Sequence, residues 1–228
     1  TMLEWYRKNA NYNNIMEDCE NLIKSIYPKK NLLYQSYNIN LEEKWEKVST
    51  NELFIKYCNI DLLENRTFER FKKTAIKKDF DINGCKDWDD IFFKIFLNNI
   101  EKNLGFNKPT FVYDYPSSQA ALAKKKKSEP FFAERFELYI AGIELANAFS
   151  ELIDADEQRK RLIKEQNIRK QLNKTVFDID EEFLASLESI SEPCSGIALG
   201  IDRLFMILLN KTDIKDIILF PLEKYLNK

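Results

Sequence analysis

The stretch Gly196–Leu208, GIALGIDRLFMIL, restricts the chain more than any other. Two glycines bracket Ile197, Ala198 and Leu199, and Asp202-Arg203 lead into a second apolar run. The pattern predicts a strand that hands over to an apolar helix at Gly200 and runs to about Leu209. A glycine at such a junction lets a ligand approach the main chain, and a helix N-terminus favours phosphate. Arg203, in the first turn, is placed to stack on a flat ring or to pair with phosphate. A glycine turn opening an ordinary core helix has the same pattern, and this stretch alone does not separate the two.

The rest of the chain divides into three blocks. From about Tyr12 to Gly105 the spacing is mainly helical. Ile15, Cys19, Leu22, Ile23 and Ile26 form one stripe that Pro28 ends. Shorter helices are predicted over Asn51–Cys58 and Thr67–Lys78. A further one starts at Asp87 as N-cap, with Trp88, Ile91, Phe92, Ile95, Phe96 and Ile100 on one face. The second block alternates as strands do. In Thr110–Tyr115 the residues Phe111, Tyr113 and Tyr115 share a side, and in Ala133–Ile140 so do Phe136, Leu138 and Ile140. Glu144–Phe149 reads as the return strand after a bend at Ala141-Gly142, which makes antiparallel pairing natural. The third block is a polar helix over Asp154–Lys174, a helix over Asp180–Ile190, the strand and helix around Gly200, and a short apolar run, Ile217–Phe220.

Charge and composition remove several function classes. The 228 residues suffice for one domain with a substantial core. With 35 basic and 37 acidic residues the net charge is −2, so nothing in the balance calls for a nucleic-acid partner. There is no histidine, which excludes a Ser-His-Asp triad, a Cys-His pair and histidine metal sites within the chain. Cys19, Cys58, Cys85 and Cys194 are far apart, without metal-ligand spacing, as expected of reduced thiols in the cytoplasm. No apolar stretch approaches about 18 residues, so no membrane span is expected, and no secretory leader is visible. Thr1-Met2 is an unusual opening, and the chain is expected to be part of something longer.

Carboxylates therefore carry the chemical interest. Glu144 and Glu151, with Asn147 between them, lie on a half-buried strand, where acids are costly unless they bind something. A substrate ammonium or a divalent cation on phosphates would suit them. On a regular strand residues seven apart face opposite ways, so a shared pocket requires a bend or bulge, expected near Ala148–Ser150. Thr1–Arg7 reads as a strand with Glu4 and Tyr6 on one face, a carboxylate and a phenol that together can attract an ammonium. Both sets are equally compatible with surface strands. The run Lys124–Lys127 reads either as a solvated loop or as a flexible basic loop that draws an acidic partner or polyphosphate to a pocket mouth.

TMLEWYR, PTFVYDYPSSQAALA, AERFELYIAGIELANAFSEL, DADEQ and CSGIALGIDRL occur in this order. Together they closely resemble the elongation factor P lysyltransferase family, whose members are paralogues of class II lysyl-tRNA synthetases without the anticodon-binding domain. The resemblance spans most of the chain and is weakest over about Asn11–Lys108. It implies an α+β fold, a class II synthetase-like antiparallel sheet flanked by helices. In that frame residues 1–228 are the C-terminal part of one catalytic domain, with 11–108 as a mostly helical insertion and 109–228 as strands plus the motif 3 helix.

The resemblance also implies a two-step ligase. ATP, with Mg²⁺, and a lysine-type amino acid, preferably (R)-β-lysine, would give an adenylate. The acyl group would then pass to a lysine of elongation factor P, so tRNA is not the expected acceptor. Tyr6 matches a substrate-binding tyrosine, with Glu4 its neighbour. Asn147 and Glu151 match the amino-acid pocket, Glu151 being placed for the ammonium. Glu144, Leu145 and Gly200 match ATP contacts, Glu144 also as an Mg²⁺ ligand, and Arg203 matches the catalytic motif 3 arginine. Ala198, in a glycine run of true lysyl-tRNA synthetases, would narrow the pocket floor. Ala148 replaces a glycine, which would cost about 1 kcal/mol if the position required positive φ. Motif 1, which builds the family's homodimer interface, and most of motif 2 are absent, so the expected C-terminal part alone should form adenylate poorly. A lysyl-tRNA synthetase fragment and a degenerate non-catalytic paralogue are the competing readings.

Overall fold

The fold is α+β in the computed structural model, which describes residues 1–221; positions 222–228 of the expected domain lie outside the described residues. Alternating apolar residues build eight strands: β1 (Met2–Lys8), β2 (Asn31–Tyr34), β3 (Tyr37–Asn40), β4 (Glu46–Ser49), β5 (Thr110–Pro116), β6 (Phe132–Ile140), β7 (Ile143–Ser150) and β8 (Cys194–Gly200). Six of them form one sheet in the order β1-β8-β7-β6-β5-β4, and β2-β3 form a separate hairpin. Every neighbouring pair in the large sheet is antiparallel except β4-β5. The helices are α1 (Tyr12–Ile26), α2 (Thr50–Cys58), α3 (Phe68–Lys77), α4 (Trp88–Ile95), α5 (Ala155–Gln171), α6 (Glu181–Glu188) and α7 (Ile201–Leu208).

Two cores lie on opposite faces of the sheet. On one face Ile15, Cys19 and Ile23 of α1 and Leu204 and Ile207 of α7 pack on Phe136, Leu138, Ala146, Ala148, Ile197 and Leu199. On the other, Phe54, Phe71, Ile91 and Phe92 of α2–α4 cover Val112, Tyr115, Phe132 and Tyr139. The second layer thus sits over β5 and β6. The same face is open over β1, β8 and β7, where Tyr6 is 70% exposed. A two-residue turn joins β6 to β7, with Ala141 at φ 54° and Gly142 at φ 73°, the left-handed pair that matches the twist of a tight hairpin.

Three expectations are corrected. Phe111 and Tyr113 do face the first core, but Tyr115 faces the second. Asp114 is bulged out at φ 57° and breaks the alternation. Helices dominate 11–108, yet they are interrupted by β2, β3 and β4, and β4 joins the main sheet. The basic run is not a flexible loop. Lys124 and Lys126 donate main-chain hydrogen bonds to Ser150 and Phe132, the Lys125 amine pairs with Glu157 at 2.7 Å, and the Lys126 amine pairs with buried Asp114.

Candidate functional site

Sheet register assembles the site on the open face. Glu4 of β1 lies opposite Ala198 of β8, which lies opposite Asn147 of β7, which lies opposite Glu137 of β6. One pleat along, the row is Tyr6, Gly196, Phe149 and Arg135. Residues two apart on a strand share a face, so the two rows form one patch. Four strands contribute two residues each, and β1, the β6-β7 hairpin and β8 are far apart in sequence.

Glu151 closes the first cavity. This hollow of about 140 Å³ is lined by Glu4, Tyr6, Asn147, Phe149, Glu151 and Gly196, with Ile197 and Ala198. Gly196 is its floor. A β-carbon there would lie 2.6 Å from Tyr6 Cε1 and 2.8 Å from Glu151 Oε1, so only glycine lets the ring and the carboxylate converge. Burial pushes the Glu151 carboxyl up to about 7, with no cation among the described residues offsetting it. The Tyr6 phenol is also raised, by burial first and then by the charges of Glu151 and Glu4. A half-buried carboxylate beside a phenol, without a counter-ion among the described residues, is an environment that an ammonium group would complete.

The second cavity, about 460 Å³, adjoins the first. Asn147 and Ala198 line both, while Glu144, Gly200, Asp202 and Arg203 line the second. Gly200 caps α7, and the atoms nearest to a β-carbon there would be those of the Arg203 side chain, at 3.6 Å or more. The room in front of it is therefore open to a ligand. Arg203 is half exposed, donates to the Glu144 carbonyl oxygen at 2.7 Å and lies 3.7 Å from its carboxylate. Burial, and then the nearby Glu137 charge, raise the Glu144 carboxyl. No group of three or more acidic, cysteine or histidine side chains converges as a metal site among the described residues. Glu144 thus fits Mg²⁺ only as a single protein ligand to an ion carried by phosphates and water, the usual manner for this cation.

A bulge does bring Glu144 and Glu151 to one face, but it lies at Leu145 rather than near Ala148–Ser150. Tyr139 pairs with Glu144 and Leu138 with Ala146, so Leu145 is the extra residue. Leu145 and Ala146 both enter the core, and Glu144 returns to the face of Asn147. Leu145 is 2% exposed, which leaves any nucleotide contact there to its main chain. Ala148 is fully buried on the core face without positive φ, so its methyl is neither strained nor in the pocket. Ala198 does line the pocket, at the boundary between the cavities.

Sequence reasoning missed Gly196 as the pocket floor, and Phe149, Arg135 and Glu137 as its continuation. Arg135 and Glu137, charges in alternate positions of a mainly apolar strand that also carries Glu134, were the available signal. Arg135 donates from Nε to Asn147 Oδ1 at 3.1 Å and from Nη2 to Glu137 Oε1 at 2.7 Å, and stacks 4.5 Å from the Tyr115 ring centre. Glu137 Oε2 accepts from the Tyr115 and Tyr139 hydroxyls at 2.5 and 2.7 Å.

Comparison with known proteins gives the family. The family of class II tRNA synthetases (D, K and N) matches residues 1–224. A lysine–tRNA ligase of Wigglesworthia glossinidia brevipalpis is 37% identical over 234 residues, covering 100% of this chain and 47% of the relative. An elongation factor P–(R)-β-lysine ligase of Proteus mirabilis (strain HI4320) is 36% identical over 228 residues, covering 98% of this chain and 65% of the relative. A lysine–tRNA ligase of Buchnera aphidicola subsp. Cinara cedri (strain Cc) is 39% identical, with 98% and 45% covered. The chain thus spans between about half and two-thirds of the length of these relatives. The family match spans nearly the whole chain and accords with the mostly antiparallel sheet, so the chain belongs to the class II tRNA synthetases of the D, K and N group.

Proposed function

We propose that the chain supplies the amino-acid and nucleotide cavities of a ligase that activates a lysine-type amino acid, preferably (R)-β-lysine, with ATP. The acyl group would go to a lysine side chain of elongation factor P, in the cytoplasm and in a homodimer. One observation carries the reading. A carboxylate–phenol pocket suited to an ammonium and a glycine–arginine cavity suited to a nucleotide share Asn147 and Ala198 as their boundary.

In this reading ionised Glu151 pairs with the substrate ammonium, flanked by Tyr6 and Glu4. The substrate carboxylate then points to the boundary at Asn147. Its oxygen attacks the α-phosphorus of ATP, and pyrophosphate leaves with the bonding pair. Arg203 neutralises phosphate charge or stacks on the base, and Gly200 leaves room for either. Glu144 would hold Mg²⁺, which supplies charge neutralisation between phosphates. The acceptor amine next attacks the acyl carbon, AMP departs, and the amine proton goes to solvent. No protein nucleophile is needed, which suits a chain without histidine. Catalysis is then positioning and electrostatic stabilisation.

A second reading, lysine–tRNA ligase, is favoured by relatives of that name at 37–39% identity. Ala198 weighs against it, because its methyl narrows the boundary of the lysine pocket. The test uses the longest in-frame polypeptide that carries this sequence. ATP–pyrophosphate exchange is measured with L-lysine and with (R)-β-lysine, then transfer of labelled acyl group to elongation factor P and to lysine tRNA. Exchange that prefers (R)-β-lysine, with labelling of elongation factor P, supports the proposal. Labelling of tRNA alone establishes the second reading, and absence of ATP binding refutes both.

A further inference from the structure

The geometry points to Arg135 as a positioning residue. Its side chain fixes the Asn147 amide with the NH₂ group facing the boundary of the two cavities, where a carboxylate oxygen of the substrate is received. This rests on the amino-acid reading of the first cavity.

The argument begins with hydrogen-bond inventory. A guanidinium has donors only, and a side-chain amide has one acceptor end and one donor end. Arg135 Nε lies 3.1 Å from the oxygen end of Asn147. With arginine on that side, the oxygen must face it and Nδ2 must face away. Asn147 lines both cavities, and its Nδ2 is not among the buried unpaired atoms of the described residues. The NH₂ group is therefore presented to the cavity side, and it selects an acceptor there.

Arg135 is itself held from every side. Nη2 pairs with Glu137 at 2.7 Å, Nη1 donates to the Gln119 carbonyl oxygen at 3.2 Å, and the Tyr115 ring lies beneath the plane. Glu137 is 8% exposed and is fixed in turn by two tyrosine hydroxyls. The fork has little freedom, and the amide it grips inherits that order. Lysine cannot replace it: one ammonium meets Glu137 or Asn147 with a point charge, without the planar geometry that serves both.

Two measurements on the chain test this. First, side-chain ¹⁵N relaxation of Asn147 in the ligand-free protein: an ordered amide is expected in the wild type and a mobile one in Arg135→Lys, which keeps the charge beside Glu137. An amide mobile in the wild type, or equally ordered in both, overturns the proposal whether or not lysine binds. Second, titration with L-lysine and with cadaverine, which has the ammonium and lacks the carboxylate. Arg135→Lys and Asn147→Ala should each weaken lysine at least about tenfold, the size of one hydrogen bond to a charged group, and the double variant no more than Asn147→Ala alone. Cadaverine should bind all forms alike. Equal losses for both ligands would mark Arg135 as merely structural and sink the inference. Failure of the wild type to bind either ligand would instead count against the amino-acid reading, leaving the relaxation result to decide the positioning role.

Discussion

At the scale of single residues the pocket makes distinct demands. Glu151 has a folded-state pKa of about 7 against an ordinary 4.5, because burial disfavours its charge. The folded chain therefore keeps a proton that the unfolded chain has released, and stability falls as pH rises between those values. Above about pH 7 the cost is fully present. Glu151→Gln should raise the melting temperature at about pH 8 and leave it unchanged at about pH 4, as read by calorimetry. Lysine affinity should show the opposite trend, rising through pH 7 as the carboxylate ionises, and should be weak and flat in the variant. An affinity independent of pH in the wild type would remove Glu151 from the ammonium site. Gly196→Ala makes the complementary steric point. Its methyl would displace the Tyr6 ring and the Glu151 carboxylate, so lysine binding should be lost while far-UV circular dichroism is retained. Ala148→Gly, the change toward the resembling family's sequence, acts elsewhere. It removes a fully buried methyl from a strand and should cost about 1 kcal/mol in denaturant unfolding, with no gain in ligand affinity.

At the scale of elements, what holds a segment decides how legible it was. The stripe Ile15, Cys19, Ile23 and the stop before Pro28 marked α1 over the span it occupies, Tyr12–Ile26, because one side of that helix meets the core. Asp87 announced α4, since its carboxylate accepts from the Asp90 amide at 2.8 Å. The four-residue strands β2, β3 and β4 were not visible. Each is too short for alternation to register, and β4 pairs with β5 64 positions away, Glu46 against Thr110. The bulges at Asp114 and Leu145 were misplaced or missed because one inserted residue leaves no mark in a period of two. Glu4, Tyr6, Asn147 and Glu151 could be named as candidates from chemistry alone, but Gly196 and Arg135 became site residues only through inter-strand register. The polar helix α5 shows a further kind of support. Gln158 is its only buried residue, and Arg161 donates from Nη1 to the carbonyl oxygens of Ala120 and Ala123 at 2.6 and 2.8 Å. Arg161→Ala strands those carbonyls, at about 1–3 kcal/mol each if they stay buried. Amide exchange over residues 117–125 should accelerate at least tenfold while α1 and β6 keep their protection. Uniform acceleration would mean that α5 supports the whole fold rather than that loop.

At the scale of the whole molecule, half the sheet face is covered and half is open, and the candidate site lies on the open half. Helices α2–α4 protect β5 and β6, while the face of β1, β8 and β7 that carries Tyr6 and Asn147 has no second layer among the described residues. Among the described residues, the cavity proposed for the nucleotide has one cationic side chain, Arg203, against two acids, Glu144 and Asp202. ATP brings about four negative charges, and the transfer step concentrates charge on the α-phosphate. Preorganised donors at such a centre are each worth about a hundredfold or more in rate, and one half-exposed arginine does not provide a set of them. In the proposed reading lysine binding relies on Glu151 and Tyr6, and it does not share this deficit. The 228 residues alone should therefore bind lysine measurably yet catalyse ATP–pyrophosphate exchange at least about a hundredfold more slowly than the longest in-frame polypeptide that carries them. Equal exchange rates for the two would show that Arg203 and the main chain around Gly200 suffice for the transfer. Slow exchange without lysine binding would instead mean that the ammonium pocket, too, requires a wall this chain does not supply.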